Sequence, residues 1–392
     1  MIHHPILIFL ALVALVAFLK KVRASPLPFW CYIVPMCATT LGLLPAESEL
    51  YTFLSQQLLP ICIVLLLIGT DLKGVVQLGP LAIGLMLIGS FGTMVGGLMS
   101  YRLYCKWLPT MSWAGIGALS ASWIGGSANL LAVKEALQVP DTLVGPLVIV
   151  DAVVAYSWMA LLIWASSLQN RWNRFVFGSS VPACPADAPL VPPQPCLPAG
   201  RRVGTPGLLT PRPTGGLATS IVLSVTLSLL AHRVGQWLPT FGQVMSPATW
   251  TVLLVTTAAL VLSLTPLRQV EEAGASSVGT FALYILLASI GARANLMAIA
   301  KAPVFLALGL TWIAIHGVIL LVAGKLLKAP LGLIATASQA NIGGPISAPI
   351  VGATYSVRLS SVGLLMAILG NILGTYLGLV TAWVARLAFK TC

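Results

Sequence analysis

Of the nine acidic residues in this 392-residue chain, only Asp151 lies well inside a long apolar stretch. Glu47, Glu49, Asp187, Glu271 and Glu272 fall in polar connections, and Asp71, Glu135 and Asp141 fall near the ends of apolar segments. A charge at the centre of a bilayer costs about 2.5–3.5 kcal/mol on insertion scales, so a carboxyl placed there points first to function. It suits a cation site when ionised and a proton site when it titrates. The plainer alternative is a protonated carboxyl hydrogen-bonded to a neighbouring helix.

Two further stretches have ligand chemistry. Ser120-Ala-Ser-Trp-Ile-Gly-Gly-Ser-Ala-Asn129 and Ser338-Gln-Ala-Asn-Ile-Gly-Gly-Pro-Ile-Ser347 share the core Ile124-Gly125-Gly126 and Ile342-Gly343-Gly344. A Gly-Gly step inside an apolar segment frees backbone carbonyls and N–H groups. Carbonyls can replace the water shell of Na⁺, and the N-terminal end of a half-helix can hold an anion. Around Gly125, Gly126, Gly343 and Gly344, the side chains of Ser122, Ser127, Asn129, Ser338, Gln339, Asn341 and Ser347 add neutral polar ligands. Small residues also allow tight helix packing, which would explain a single Gly-Gly pair. Two pairs, each flanked by an amide, favour a substrate site.

Asn371 is the counterpart of Asp151 in the second half of the chain. Asp151 stands five residues before Tyr156 and Asn371 five before Tyr376. Asn371 keeps the hydrogen-bonding shape without the charge, so it is a second candidate for ion or proton coupling. It sits within Gly370-x-x-x-Gly374-x-x-x-Gly378, a stripe that permits close helix approach. His316 lies in mid-segment and could relay a proton, although a buried His is more often simply hydrogen-bonded.

The elements that carry these residues are membrane helices. The chain is 58% hydrophobic and 8% charged, against about 25% charged residues in a soluble domain. Apolar segments fall near 5–19, 27–44, 51–69, 79–101, 112–137 and 142–168, then near 217–238, 248–266, 278–294, 303–324, 331–355 and 360–386. Most are long enough to cross a hydrocarbon core of about 30 Å as helices. Between the two sets, residues 169–216 form a Pro-rich, Arg-containing linker, expected to be cytoplasmic and disordered. This divides the chain into a first membrane repeat (1–168), the linker and a second membrane repeat (217–392).

The two sides match in number and order. If all six segments of each half span, the halves share one orientation. If each Gly-Gly segment dips in and returns, each half has about five spans and the halves are inverted. Inversion puts Lys20, Lys21, Arg23, the linker arginines, Arg268, Lys325 and Lys328 on one side and Arg102, Lys106, Arg293 and Lys301 on the other, so the charge bias does not settle the matter. The helix-breaking composition of the Gly-Gly segments makes inversion the expected arrangement. The expected fold class is therefore an all-α integral membrane protein. It has two inverted repeats of about five spans each, and one broken or re-entrant Gly-Gly segment per repeat.

The net charge of +12 is spread over many short loops, which reads as topology signals and headgroup contacts, not nucleic-acid binding. The seven Cys residues show no disulfide or zinc spacing. No G-x-x-x-x-G-K-[ST], H-E-x-x-H or G-x-S-x-G motif is present, so neither direct ATP use nor a familiar hydrolase site is expected.

The stretches at 122–129 and 340–345 resemble the YjcL-like family of uncharacterised membrane proteins, and the resemblance covers almost the whole chain outside the linker. That family is grouped with the cation:proton antiporter and anion transporter superfamily, which includes bile acid, glutamate and citrate sodium symporters. The resemblance implies a scaffold, a moving core and crossed or re-entrant Gly-Gly elements at the substrate site. By position it makes Gly125, Gly126, Gly343 and Gly344 the loop turns, and Asn129, Gln339 and Asn341 substrate or ion ligands. Asp151 looks like the cation-binding acid of the antiporters, which often carry two adjacent acids; here Val150 precedes it.

The reading is a secondary transporter in the cell inner (plasma) membrane, not an enzyme, coupled to Na⁺ or H⁺ and carrying a small organic anion or amino-acid-like solute. No resident cofactor is expected beyond Na⁺. The expected partners are the lipid bilayer, the small-molecule substrate and a second copy in a homodimer. The alternatives are a cation:proton antiporter without organic substrate and, in another class, an intramembrane enzyme or structural membrane subunit.

Overall fold

The computed structural model describes residues 4–21, 27–70, 75, 78–177, 214–240, 246–268, 274–293 and 302–389. Every regular element among them is helical. The first half contains α1 (Pro5–Lys21), α2 (Leu27–Thr40), α3 (Glu49–Leu67, with a π turn at Leu54–Leu58), α4 (Pro80–Tyr104), α5 (Ser112–Gly125), α6 (Ser127–Ala136), α7 (Asp141–Ala165) and α8 (Gln169–Phe177). The second contains α9 (Thr214–Trp237), α10 (Pro247–Ser263), α11 (Ala275–Arg293), α12 (Ala302–Leu326), α13 (Leu331–Ile342), α14 (Gly344–Tyr355) and α15 (Val357–Ala388).

Seven helical runs among the described residues are long and apolar enough to cross a membrane: Glu49–Leu67, Pro80–Trp107, Asp141–Phe177, Gly216–Trp237, Ala275–Arg293, Pro303–Leu326 and Leu359–Ala388. α1, α2 and α10 are shorter apolar helices. The run from Asp141 to Phe177 has 37 residues, about 55 Å at 1.5 Å per residue. That exceeds a hydrocarbon core of about 30 Å, so the polar α8 extends beyond it.

Most of the expected linker, from 178 to 213, lies outside the described residues. Its two margins are helical, because Gln169–Phe177 forms α8 and Thr214 opens α9. The margins contain no proline to stop a helix; the prolines begin at Pro182 and end at Pro213. Among the cysteines, Cys31, Cys37 and Cys62 are free, while Cys105 is disulfide-bonded, which the spacing did not announce.

Glycines set the closest helix contacts. α4 packs on α12, where Gly96 and Gly97 accept the Trp312 ring. α5 packs on α15 with Gly370, Gly374 and Gly378 against Ile124, Gly125, Ala121 and Gly117. A Cβ on Gly374 would stand 2.8 Å from the Gly125 Cα. The Gly-x-x-x-Gly-x-x-x-Gly stripe is therefore a packing seam, as its spacing implies.

Candidate functional site

Both Gly-Gly segments are broken helices. Gly126 separates α5 from α6 with φ 87° and ψ 174°, a backbone region that essentially only glycine occupies. Gly343 separates α13 from α14, and Gly344, the first residue of α14, has φ 69°. The left-handed residue is the second glycine of each pair.

Around the first break, Asn129 donates from Nδ2 to the Gly125 carbonyl at 2.6 Å and to the Asn371 carbonyl at 3.3 Å. Its Oδ1 accepts from the Thr375 hydroxyl. Asn129 thus clamps the break onto α15 with both ends of its amide. The Asn371 side-chain oxygen faces Gly126, within 3.7 Å of where a Cβ would be. Ser122 donates its hydroxyl to Asp151 Oδ1 at 3.0 Å. The indole N–H of Trp123, beside Ser122 in sequence, is buried without a hydrogen-bond partner. Asp151, Asn371, Gly126 and Ser127 are all half-buried, so this side of the site is the more open one.

Around the second break the polar groups are buried. Asn341 donates to the Ala337 carbonyl at 3.0 Å and accepts from the Ser90 hydroxyl at 2.8 Å. Gln339 donates to the Ser347 hydroxyl at 2.9 Å, while its Oε1 is buried without a hydrogen-bond partner. Ser338 Oγ accepts from the Trp158 indole N–H at 2.9 Å and lies 2.9 Å from His316 Nε2. His316 Nδ1 lies 3.1 Å from the Gly89 carbonyl. A carbonyl can only accept, so in the neutral ring Nδ1 carries the proton and Nε2 accepts from Ser338.

α7 joins the two breaks. Asp151 holds Ser122 beside the first, and Trp158, two turns further along, holds Ser338 beside the second. Helix α5 also packs against both α13 and α14. Asp151, Ser122, Gly125, Gly126, Asn129 and Asn371 therefore form one cluster, and Ser338, Gln339, Asn341, Gly343 and Ser347 a second, bridged by α7. Sequence reasoning missed Ser90, Trp158 and Thr375. Ser and Thr in helices usually bond their own backbone, and a Trp in a membrane helix reads as an interface residue.

It also missed an ion network at the ends of α6, α7 and α11. Lys134 Nζ lies 3.0 Å from Asp141 Oδ1 and 3.5 Å from Glu135 Oε2, and Arg293 Nε lies 2.9 Å from Asp141 Oδ2.

Long apolar helices, two glycine-broken segments and one carboxyl among them define a multi-pass membrane protein. The chain belongs to the family described as "Protein of unknown function (DUF819)", which it matches over residues 7–188 and 210–387. It is 26% identical over 356 residues to "Uncharacterized membrane protein YjcL" of Bacillus subtilis (strain 168), covering 88% of this chain and 86% of that protein.

Proposed function

We propose that this protein is a secondary active transporter of the inner (plasma) membrane. It moves a small organic anion or amino-acid-like solute, coupled to Na⁺ or H⁺, on a fold akin to that of the sodium-symporter and antiporter superfamily. The observation that carries this reading is the bridge made by α7. One helix places a half-buried carboxyl at the first break and an indole donor at the second. A coupling ion at Asp151 and a solute at the broken backbone would therefore feel each other's occupancy.

Inverted repeats with re-entrant segments fit the contacts. A Cβ on Gly332, at the start of α13, would stand 2.7 Å from that of Tyr355, at the end of α14, so this pair leaves on the side where it began. On the other pair, Arg386 near the end of α15 lies over Trp113 at the start of α5, while Lys134 near the end of α6 pairs with Asp141 at the start of α7. The parallel approach of α7 and α12 through Val150–Gly309 and Trp158–Gly317 supports putting both ends of α5–α6 opposite the ends of α13–α14. Each half then has five spans and one hairpin, with opposite orientations. The broken elements and α7 form the core that moves against α1–α3 and α9–α11.

Proteoliposomes test the reading. A Na⁺ or proton gradient should drive uptake of labelled solute, and Asp151→Asn should abolish the gradient dependence. Unchanged transport and pH response in that variant would remove Asp151 from the mechanism. The antiporter alternative, in which Asp151 alone exchanges a cation for a proton, has its own test. A lumenal pH dye that responds to added cation without any solute would support that reading.

A further inference from the structure

Away from the two breaks, the start of α3, the end of α6, the start of α7 and the end of α11 come together. Arg293, paired with Asp141, also lines a surface-open hollow of about 490 Å³ whose other described lining residues are Glu47, Ser48, Glu49 and Thr52. The hollow has room for a small polar molecule, and its described lining is wholly polar. Just past Thr52 the helix takes a π turn at Leu54–Leu58, an irregularity found frequently at functional sites. The π turn carries Ser55, whose hydroxyl is buried and has no hydrogen-bond partner. Ser55 shares a small void with Lys134 and Glu135. The hollow thus touches the network at Arg293, and the unsatisfied Ser55 hydroxyl shares a separate void with Lys134 and Glu135.

Charge decides what fits. Glu47 and Glu49 oppose an anion approaching Arg293, and Arg293 opposes a simple cation. A molecule with both signs answers both walls, its ammonium toward the carboxylates and its carboxylate toward the guanidinium. Arg293 meets Asp141 through Nε, and a guanidinium carries further N–H donors on its two terminal nitrogens for a second carboxylate.

We infer that this hollow is a binding site for a small zwitterion of the α-amino-acid type, separate from the two breaks. Binding here requires no transport, so the inference stands or falls independently of the proposed function. The test is thermal unfolding of the purified full-length protein in detergent at fixed ionic strength. The probes are a panel of α-amino acids, sodium propionate as the anion alone and methylammonium chloride as the cation alone. Amino acids from the panel should raise the melting temperature saturably, and the single-charge probes should not. The double variant Glu47→Gln/Glu49→Gln changes exposed side chains and should retain the unliganded melting temperature while losing the response. Asp151→Asn should keep it. The site is overturned if no amino acid outperforms propionate or methylammonium, or if the response survives in the double variant. A response lost in Asp151→Asn but kept in the double variant would also overturn this site, while locating the ligand at the breaks and leaving the transport reading intact.

Discussion

Ser122 and Asp151 are joined by a 3.0 Å hydrogen bond in which the hydroxyl donates and the carboxyl accepts. Ser122 lies in the turn that leads into the first break, three residues before Gly125. The carboxyl is thereby fixed relative to the broken backbone. Ser122→Ala removes one donor and leaves Asp151 half-exposed to whatever fills the site. A net loss of about 1 kcal/mol in stability is expected, typical of one intramolecular hydrogen bond. Under the transport proposal the larger effect is functional: the apparent affinity for the coupling ion should change by several-fold while the protein still purifies as a folded species. Unaltered ion dependence of uptake would separate Ser122 from coupling.

The two breaks should respond differently to the same substitution. Gly126 has φ 87° and ψ 174°, where an L side chain is strongly disfavoured. Gly344 has φ 69°, in the left-handed region, and a Cβ added there would meet nothing within 4 Å. Gly126→Ala should cost roughly 1–3 kcal/mol, and Gly344→Ala about 1–2 kcal/mol. Thermal unfolding in detergent should therefore rank Gly126→Ala as the more damaging. The reverse order would mean that the break at Gly343–Gly344 carries more strain than its backbone angles imply.

A third prediction concerns the seam between α5 and α15. A Cβ on Gly374 would meet the Gly125 Cα and the Asn129 Cγ at 2.8 Å, and backbone cannot yield as a flexible side chain does. Gly374→Val should separate the helices and loosen the Asn129 clamp, at a cost of about 1–3 kcal/mol or more for overpacking. Gly84→Ala, on the neighbouring α4, meets nothing within 4 Å and is the matched control. Size-exclusion profiles and melting temperatures should show a loss for Gly374→Val and none for Gly84→Ala.

Much of this was legible in the sequence, and the reasons differ by residue. Asp151 could be found because a carboxyl in an apolar run is conspicuous against its neighbours. The breaks could be found because Gly-Gly interrupts helix propensity, and because Ile-Gly-Gly occurs both at 124–126 and at 342–344. The roles of the amides were not legible. Asn129 and Asn341 read as ligands, yet both use their amides within the protein, on Gly125, Asn371 and Thr375 in one case and on Ala337 and Ser90 in the other. A side chain's partners depend on which helices the fold brings alongside, and no spacing rule encodes that. For the same reason Lys134 and Arg293, far apart in the chain, gave no sign that they would share Asp141.

Trp158 allows a test of the bridge itself. Its ring fills the notch at Gly317, and its indole N–H bonds Ser338. Trp158→Phe keeps most of the ring and removes the donor, whereas Ser338 retains His316 as a partner. A stability loss of about 0.5–1.5 kcal/mol is expected for the single bond. If α7 couples the breaks, the variant should also weaken the dependence of solute affinity on the coupling ion, even though it touches neither Asp151 nor the first break. A change in stability with full retention of that dependence would reduce Trp158 to a packing residue.

The ion network gives the last prediction, and its sign is the informative part. The Lys134 side chain is only 7% exposed and faces two carboxylates, Asp141 at 3.0 Å and Glu135 at 3.5 Å. Removing one member of a buried ion set leaves the others uncompensated, which is worse than removing the pair together. Asp141→Asn strands Lys134 beside Glu135 alone and takes the Nε partner from Arg293. Lys134→Met leaves Asp141 with Arg293, which is itself partly exposed and better hydrated. Asp141→Asn should therefore lower the melting temperature more than Lys134→Met. The double variant should be less destabilised than the sum of the two, with a coupling on the order of 1–3 kcal/mol. Strict additivity in this double-mutant cycle would show that Lys134 and Asp141 are held apart by solvent and do not fasten the end of α6 to the start of α7.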